Sequence, residues 1–187
     1  MIRHWISALV AASFLANAQD AKLALGSIEI SFQTQPYNGK YSPRHVLAAW
    51  VVDANDKYVK TLAVYGKRHV KKLGRWHKAA GNAKLDAVTG ATSRQKKRDG
   101  KAKPDAITGP TRRQHEALTV VWNGTDDDGK PVPDGNYKVR FEYTETNRLG
   151  PAFQIAVKKG GDAGVEKVKG SKYFTDITVQ TAAAKAN

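Results

Sequence analysis

The chain of 187 residues contains no cysteine. Disulfides and thiolate metal sites are excluded, so stability must come from packing. Histidine is sparse too, and beyond the first 18 residues only His45, His69, His77 and His115 remain. Of these, only His69 and His77 stand close in sequence. Two helical turns would separate them, too far to share one metal. The chain has no G-x-S-x-G, no phosphate-binding P-loop and no Ser/His/Asp constellation. These absences favour a carrier or binding domain over an enzyme that turns over substrate. Past the N-terminus, no apolar run is long enough to cross ~30 Å of hydrocarbon.

Acidic residues are few where basic ones are many. From position 67 to 113 there are fifteen Lys or Arg and three Asp, which accounts for twelve of the fourteen net positive charges. So local an excess suits an anionic cofactor, an acidic protein partner or a polyanionic surface. Nucleic acid is disfavoured, because the segment lacks interleaved aromatics beyond Trp76 and the N-terminus predicts export.

Residues 1–18 predict a secretory signal peptide. Arg3 supplies the positive start, residues 5–15 an apolar run, and Ala16-Asn17-Ala18 a small-residue cleavage site. The mature protein should begin near Gln19 and reside in the periplasm. A single domain is expected over residues 19–180, with a disordered tail at 181–187.

Residues 26–33 alternate apolar and polar, the period of a half-buried strand. Residues 45–52 are almost continuously apolar, which predicts a strand buried on both faces. A tight turn at 53–57 returns the chain through a partner strand at 58–65. Residues 66–80 predict a short amphipathic helix with an apolar stripe and a basic face. Residues 81–114 show no sustained period and predict a long basic loop. Strands resume at 118–122, 137–143, 153–157 and 173–179. Gly- and Lys-rich residues 158–172 read as a connection. The run Asp126-Asp127-Asp128 fits turn chemistry better than a calcium loop, which would carry a later Glu. Many short strands and little helix predict an all-β fold, an immunoglobulin-like antiparallel β-sandwich with one short basic helix and a long basic loop.

The loop contains a repeat. D-A-V-T-G-A-T-S at 86–93 is echoed by D-A-I-T-G-P-T at 105–111. The first copy is similar to the D-x-x-[S/T]-G-A-[S/T] sequence of FMN-carrying subunits in bacterial sodium-pumping and Rnf-type electron-transfer complexes. The resemblance implies that a periplasmic flavin transferase esterifies FMN to Thr92, with Asp86, Thr89, Gly90 and Ala91 as the recognition frame. Thr111 is the alternative acceptor. It is disfavoured because Pro110 replaces Ala and removes a backbone N–H. The composition of both copies is also that of ordinary turns.

Two further resemblances concern the frame around the loop. W-N-G-T-D-D-D-G-K-P-V-P-D-G-N-Y at 122–137 resembles a hairpin in the immunoglobulin-like domain of the flagellar hook-capping protein. H-V-L-A-A-W-V-V-D, R-H-V-K-K-L-G-R-W, the first repeat copy, that hairpin and N-R-L-G-P together resemble the predicted periplasmic family called domain of unknown function 2271. In that family the last motif usually carries His where this chain has Leu149. Two functions are implied. One is an extracytoplasmic electron carrier with covalent FMN, serving a membrane-bound redox protein. The other is a non-enzymatic domain that binds an acidic envelope protein or a polyanion.

Overall fold

A computed structural model describes residues 26–81 and 106–183. The signal-peptide reading at 1–18 and the first repeat copy at 86–93 lie outside them. Among the described residues, the strands β1 (Ile28–Thr34), β2 (Val46–Asp53), β3 (Tyr58–Tyr65), β4 (Ile107–Gly109), β5 (Leu118–Trp122), β6 (Gly135–Thr144), β7 (Ala152–Lys159), β8 (Gly164–Val168) and β9 (Phe174–Thr181) form two sheets. Their orders are β5-β1-β9-β8 and β4-β3-β2-β6-β7. The expected all-β sandwich is what the chain forms. One pairing departs from the antiparallel pattern, since β4 runs parallel to β3.

Between the sheets, alternation places one face of each strand inward. Ile28, Ile30 and Phe32 of β1 meet Tyr137, Val139, Phe141 and Tyr143 of β6. Phe141 lies at the centre, with its ring centroid 4.4 Å from that of Phe32 and 5.9 Å from that of Phe174.

The outer face of the second sheet carries its own small core. Val46, Ala48, Trp50 and Val52 of β2 are covered there by Leu73, Trp76 and Ala80. This explains the unbroken apolar run of β2: odd positions feed the sandwich and even positions feed the layer under the helix. That layer comprises a 3-10 turn (Lys67–Lys72) followed by α1 (Gly74–Ala80) rather than one continuous helix. Gly74 sits at the break, where a Cβ would lie 2.6 Å from Leu149 Cδ2.

Glu142 alternates outward from the sandwich core, yet it is fully buried beneath α1. Its carboxylate accepts the Trp76 backbone N–H at 2.9 Å and meets Arg75 Nη1 at 3.3 Å. The acid thus caps a helix start that has no capping side chain of its own.

The triple-Asp run is spent on turn geometry. Asp126 Oδ1 accepts the backbone N–H groups of Asp128 and Lys130, at 3.0 and 2.9 Å. Asp127 reaches across to β3, where Oδ2 accepts from the Tyr58 hydroxyl at 2.6 Å and Oδ1 from Thr61 N–H at 3.2 Å. Asp127→Ala is expected to cost about 1–2 kcal/mol, because it unties the hairpin from the sheet and strands the Thr61 N–H. Urea unfolding measures it, and an unchanged midpoint would refute the tie.

Two strands depart from the sequence expectation. Residues 107–109, within the predicted loop, pair with β3 as β4. Residues 164–168, within the predicted connection, pair with β9 as β8. At the C-terminus β9 runs through Thr181, and Ala182 and Ala183 still bond to Ser27 and Gly26.

Candidate functional site

The described part of the second repeat copy is built into the sheet edge. Ile107, Thr108 and Gly109 register against Ala63, Val64 and Tyr65, and Gly109 O accepts from Gly66 N at 3.0 Å. Thr108 is buried. Gly109 lies so close to Tyr65 that a Cβ would come within 2.7 Å of the ring, so only glycine fits without displacing it. Pro110 is exposed, and Thr111 is half-buried. The chain is then tied again, because Arg112 and His45 exchange two backbone hydrogen bonds of 3.0 Å each. The Arg112 guanidinium lies over the Tyr65 ring, 5.2 Å from its centroid. Thr111 therefore stands on a short span held at both ends.

His45 opens a second arrangement, one that spacing along the chain does not reveal. It stacks on His115, seventy positions away, at 4.1 Å between centroids and 14° between planes. Tyr143 meets both rings edge-on at 5.6 Å. His115 Nε2 lies 2.8 Å from Glu145 Oε1, and its Nδ1 lies 2.8 Å from Thr34 Oγ1. Glu145 is fully buried and also accepts from Gly39 N at 2.7 Å, Tyr37 N at 3.3 Å and Ser42 Oγ at 3.2 Å. One carboxylate thereby ties the 37–42 loop, the approach to β5 and the end of β6.

Burial is the main cause that holds both imidazoles neutral. It pushes the pKa of His45 down from 6.5 to about 4, and the neighbouring His115 and Arg112 push the same way. His115 is also lowered, chiefly by burial, although Glu145 opposes the shift. His45 Nδ1 lies 3.0 Å from Pro43 O. A carbonyl only accepts, so that nitrogen carries the proton and Nε2 is a bare acceptor. Nε2 is buried and has no hydrogen-bond partner among the described residues.

Beside this cluster lies a cavity of about 350 Å³, whose lining includes Arg44, His45, His69, Lys72, Thr111 and Asn147. It adjoins a wider cleft of about 990 Å³ that shares Arg44, His69 and Thr111 and adds Arg112, Arg113 and Glu116. Among the described residues, Glu116 is the one carboxylate along the two together. Among the described residues, no three of His, Asp and Glu gather as a metal site. His69 faces the cleft and His77 is exposed on α1.

Residues 27–99 match the family model described as predicted periplasmic protein (DUF2271). The matched stretch runs from the start of β1 past α1 and includes the first repeat copy at 86–93, but stops short of the second. It agrees with the family resemblance over H-V-L-A-A-W-V-V-D, R-H-V-K-K-L-G-R-W and the first repeat copy, whereas the hairpin at 122–137 and N-R-L-G-P lie outside it, and the family is described as one of predicted periplasmic proteins. No curated protein and no solved structure matches the chain. No helix among the described residues is long and apolar enough to cross a membrane.

Proposed function

We propose that this chain is an extracytoplasmic electron carrier that bears FMN as a phosphoester on Thr92. The observation that carries the reading is the D-A-V-T-G-A-T sequence at 86–92 inside the stretch that matches the periplasmic family. A flavin transferase needs a threonine hydroxyl on a backbone it can grip. Asp86, Thr89, Gly90 and Ala91 supply that frame. The second copy is a poor competitor, since Thr108 is buried in β4 and the span around Thr111 is bonded at both ends. Twelve net positive charges between 67 and 113 would favour the phosphate and the anionic reduced flavin, and would steer an acidic or membrane-bound redox partner.

The test is the intact mass of the denatured protein after coexpression with a periplasmic flavin transferase. The expected gain is one FMN minus water, mapping to the peptide that contains residues 86–94. Thr92→Ala should abolish it, and Thr111→Ala should leave it in place. An unmodified mass, with the transferase proven active on a known acceptor, would sink the carrier reading. The basic cleft would then favour the second one, a non-enzymatic envelope domain that binds an acidic protein or a polyanion.

A further inference from the structure

Among the described residues, the second sheet is open along β7. This is the longest of the four edge strands, eight residues against five in β5 and β8 and three in β4. It pairs with β6 alone, in a register that runs unbroken from Ala152 to Lys159. The Tyr143 N–H donates to Pro151 O, which fixes the phase of that ladder. Phe153, Ile155, Val157 and Lys159 therefore bond to β6, whereas Ala152, Gln154, Ala156 and Lys158 turn their N–H and C=O groups to the free side. Long edges are commonly blunted by a bulge, a proline or a charge in mid-strand. β7 has no bulge and no proline, and only its last two positions are charged.

The same edge borders a groove of about 810 Å³ on the outer face of the sheet, beside α1. Arg75, Lys78 and Arg140 line it with Trp50 and Gln154, and Asp56 is its one carboxylate among the described residues. Asp56 is already shared, lying 2.8 Å from Lys138 Nζ and 2.6 Å from Arg140 Nη2. Lys78 and Lys158 are exposed and form no ion pair among the described residues. Ala152 and Ala156 are exposed and small, so a side chain arriving at the edge can lean across them toward these cations.

An extended peptide suits both features. Its backbone would complete the ladder, with every second side chain on the outer face beside the cations and the others beside Phe153, Ile155 and Val157. Acidic residues fit the first row and apolar residues the second. A polysaccharide or a lipid surface would meet the cations and leave the ladder empty. A second copy of this chain, with its net charge of +14, brings the wrong sign. So does the chain's own segment 82–105, which holds seven Lys or Arg and three Asp.

We propose that β7 docks an extended segment of a protein partner, alternating acidic and apolar residues, as an added antiparallel strand of the second sheet. The site uses neither Thr92 nor the basic cleft at the opposite edge, so it is independent of the flavin reading.

The test is fluorescence anisotropy of the full chain with a labelled eight-residue peptide that alternates glutamate and valine. In an antiparallel strand the glutamates stand opposite Ala152, Gln154, Ala156 and Lys158, and their own amides make the bonds to the edge. N-methylation of the glutamate amides should weaken binding at least about tenfold, and N-methylation of the valine amides should leave it within about twofold. A peptide of lysine and valine should bind at least about tenfold more weakly. Lys158→Glu and Lys78→Glu should each weaken the glutamate peptide by about three- to tenfold, and Arg113→Glu, in the cleft at the opposite edge, should not. In the free chain the Gln154 and Ala156 amides should exchange rapidly with solvent, and the peptide should protect them. Equal binding of the two methylated peptides would leave only charge attraction, as for any polyanion, and would overturn the added strand. The reverse order would overturn its antiparallel direction. An equal loss with Arg113→Glu, or no saturable binding up to about 1 mM, would overturn the site. Gln154 and Ala156 amides already protected in the free chain would mean that a second copy or the chain's own segment covers the edge, and would overturn the proposal.

Discussion

Glu145→Ala is expected to lower the unfolding free energy by about 3–5 kcal/mol, among the largest effects available to one substitution in this chain. The side chain is fully buried, and four donors converge on it: Gly39 N, Tyr37 N, Ser42 Oγ and His115 Nε2. Alanine removes their common acceptor, and any water entering the space must replace two acceptor oxygens at once. Each orphaned buried donor costs about 1–3 kcal/mol, less whatever relaxation recovers. Glu145→Gln should recover only part of the loss. Its amide nitrogen must face one of two donor pairs, Gly39 and Tyr37 at Oε2 or His115 and Ser42 at Oε1. The measurement is a guanidinium melt read at the midpoint with an unchanged slope. A loss below about 1 kcal/mol would mean the four donors are satisfied elsewhere, and the carboxylate would not be the tie described above.

The second large effect is loss of stability in mild acid. His45 titrates near 4 in the folded chain, against 6.5 when free. Between those values the unfolded chain binds the proton and the folded chain does not. Stability should therefore be full above about pH 6.5, fall as pH drops toward 4, and level off below as far as this residue is concerned. The total from His45 alone is on the order of 3 kcal/mol, from 1.36 kcal/mol per pKa unit. His115 adds to it in the same direction. The groups that face the pair are Arg112, whose charge reinforces the shift, and Glu145, which opposes it. Asp56, held below its ordinary 3.8 chiefly by its bond to Lys138, acts only at more acid pH and cannot produce a loss in this window. Unfolding measured from pH 8 to 4.5 gives the result. A flat profile down to pH 4.5 would contradict the burial of the imidazoles, and a folded His45→Gln variant should shrink the slope.

Much of the fold was legible because strand periodicity is a local property. The alternation of residues 137–143 and the unbroken run of 45–52 each follow from which faces of a strand are covered, and both are written in consecutive side chains. β8 was not legible for the converse reason. Its residues are almost all exposed, Val165 among them, so an edge strand there needs no apolar face to announce it. β4 has three residues, too few for any period, and it exists because the edge of β3 offers unpaired backbone groups and Gly109 can approach Tyr65. Glu142 stands among the polar positions of the 137–143 alternation, yet it is fully buried. Its burial follows from where α1 lands, which no local pattern encodes.

Composition, the basic run at 67–113 and the repeat at 86–92 and 105–111 belong to the order of residues alone, and so does the proposal of Thr92 as a flavin acceptor. Those features depend on chemistry within a few neighbouring positions. The stacking of His45 on His115, the convergence of four donors on Glu145 and the cavity between Arg44 and Lys72 depend on tertiary packing. They join residues as many as 108 positions apart, as between Tyr37 and Glu145, which meet only when the two sheets close. Burial then changes what the same side chains are: an ordinary histidine becomes a neutral acceptor, and a surface-type carboxylate becomes the tie of the sandwich end.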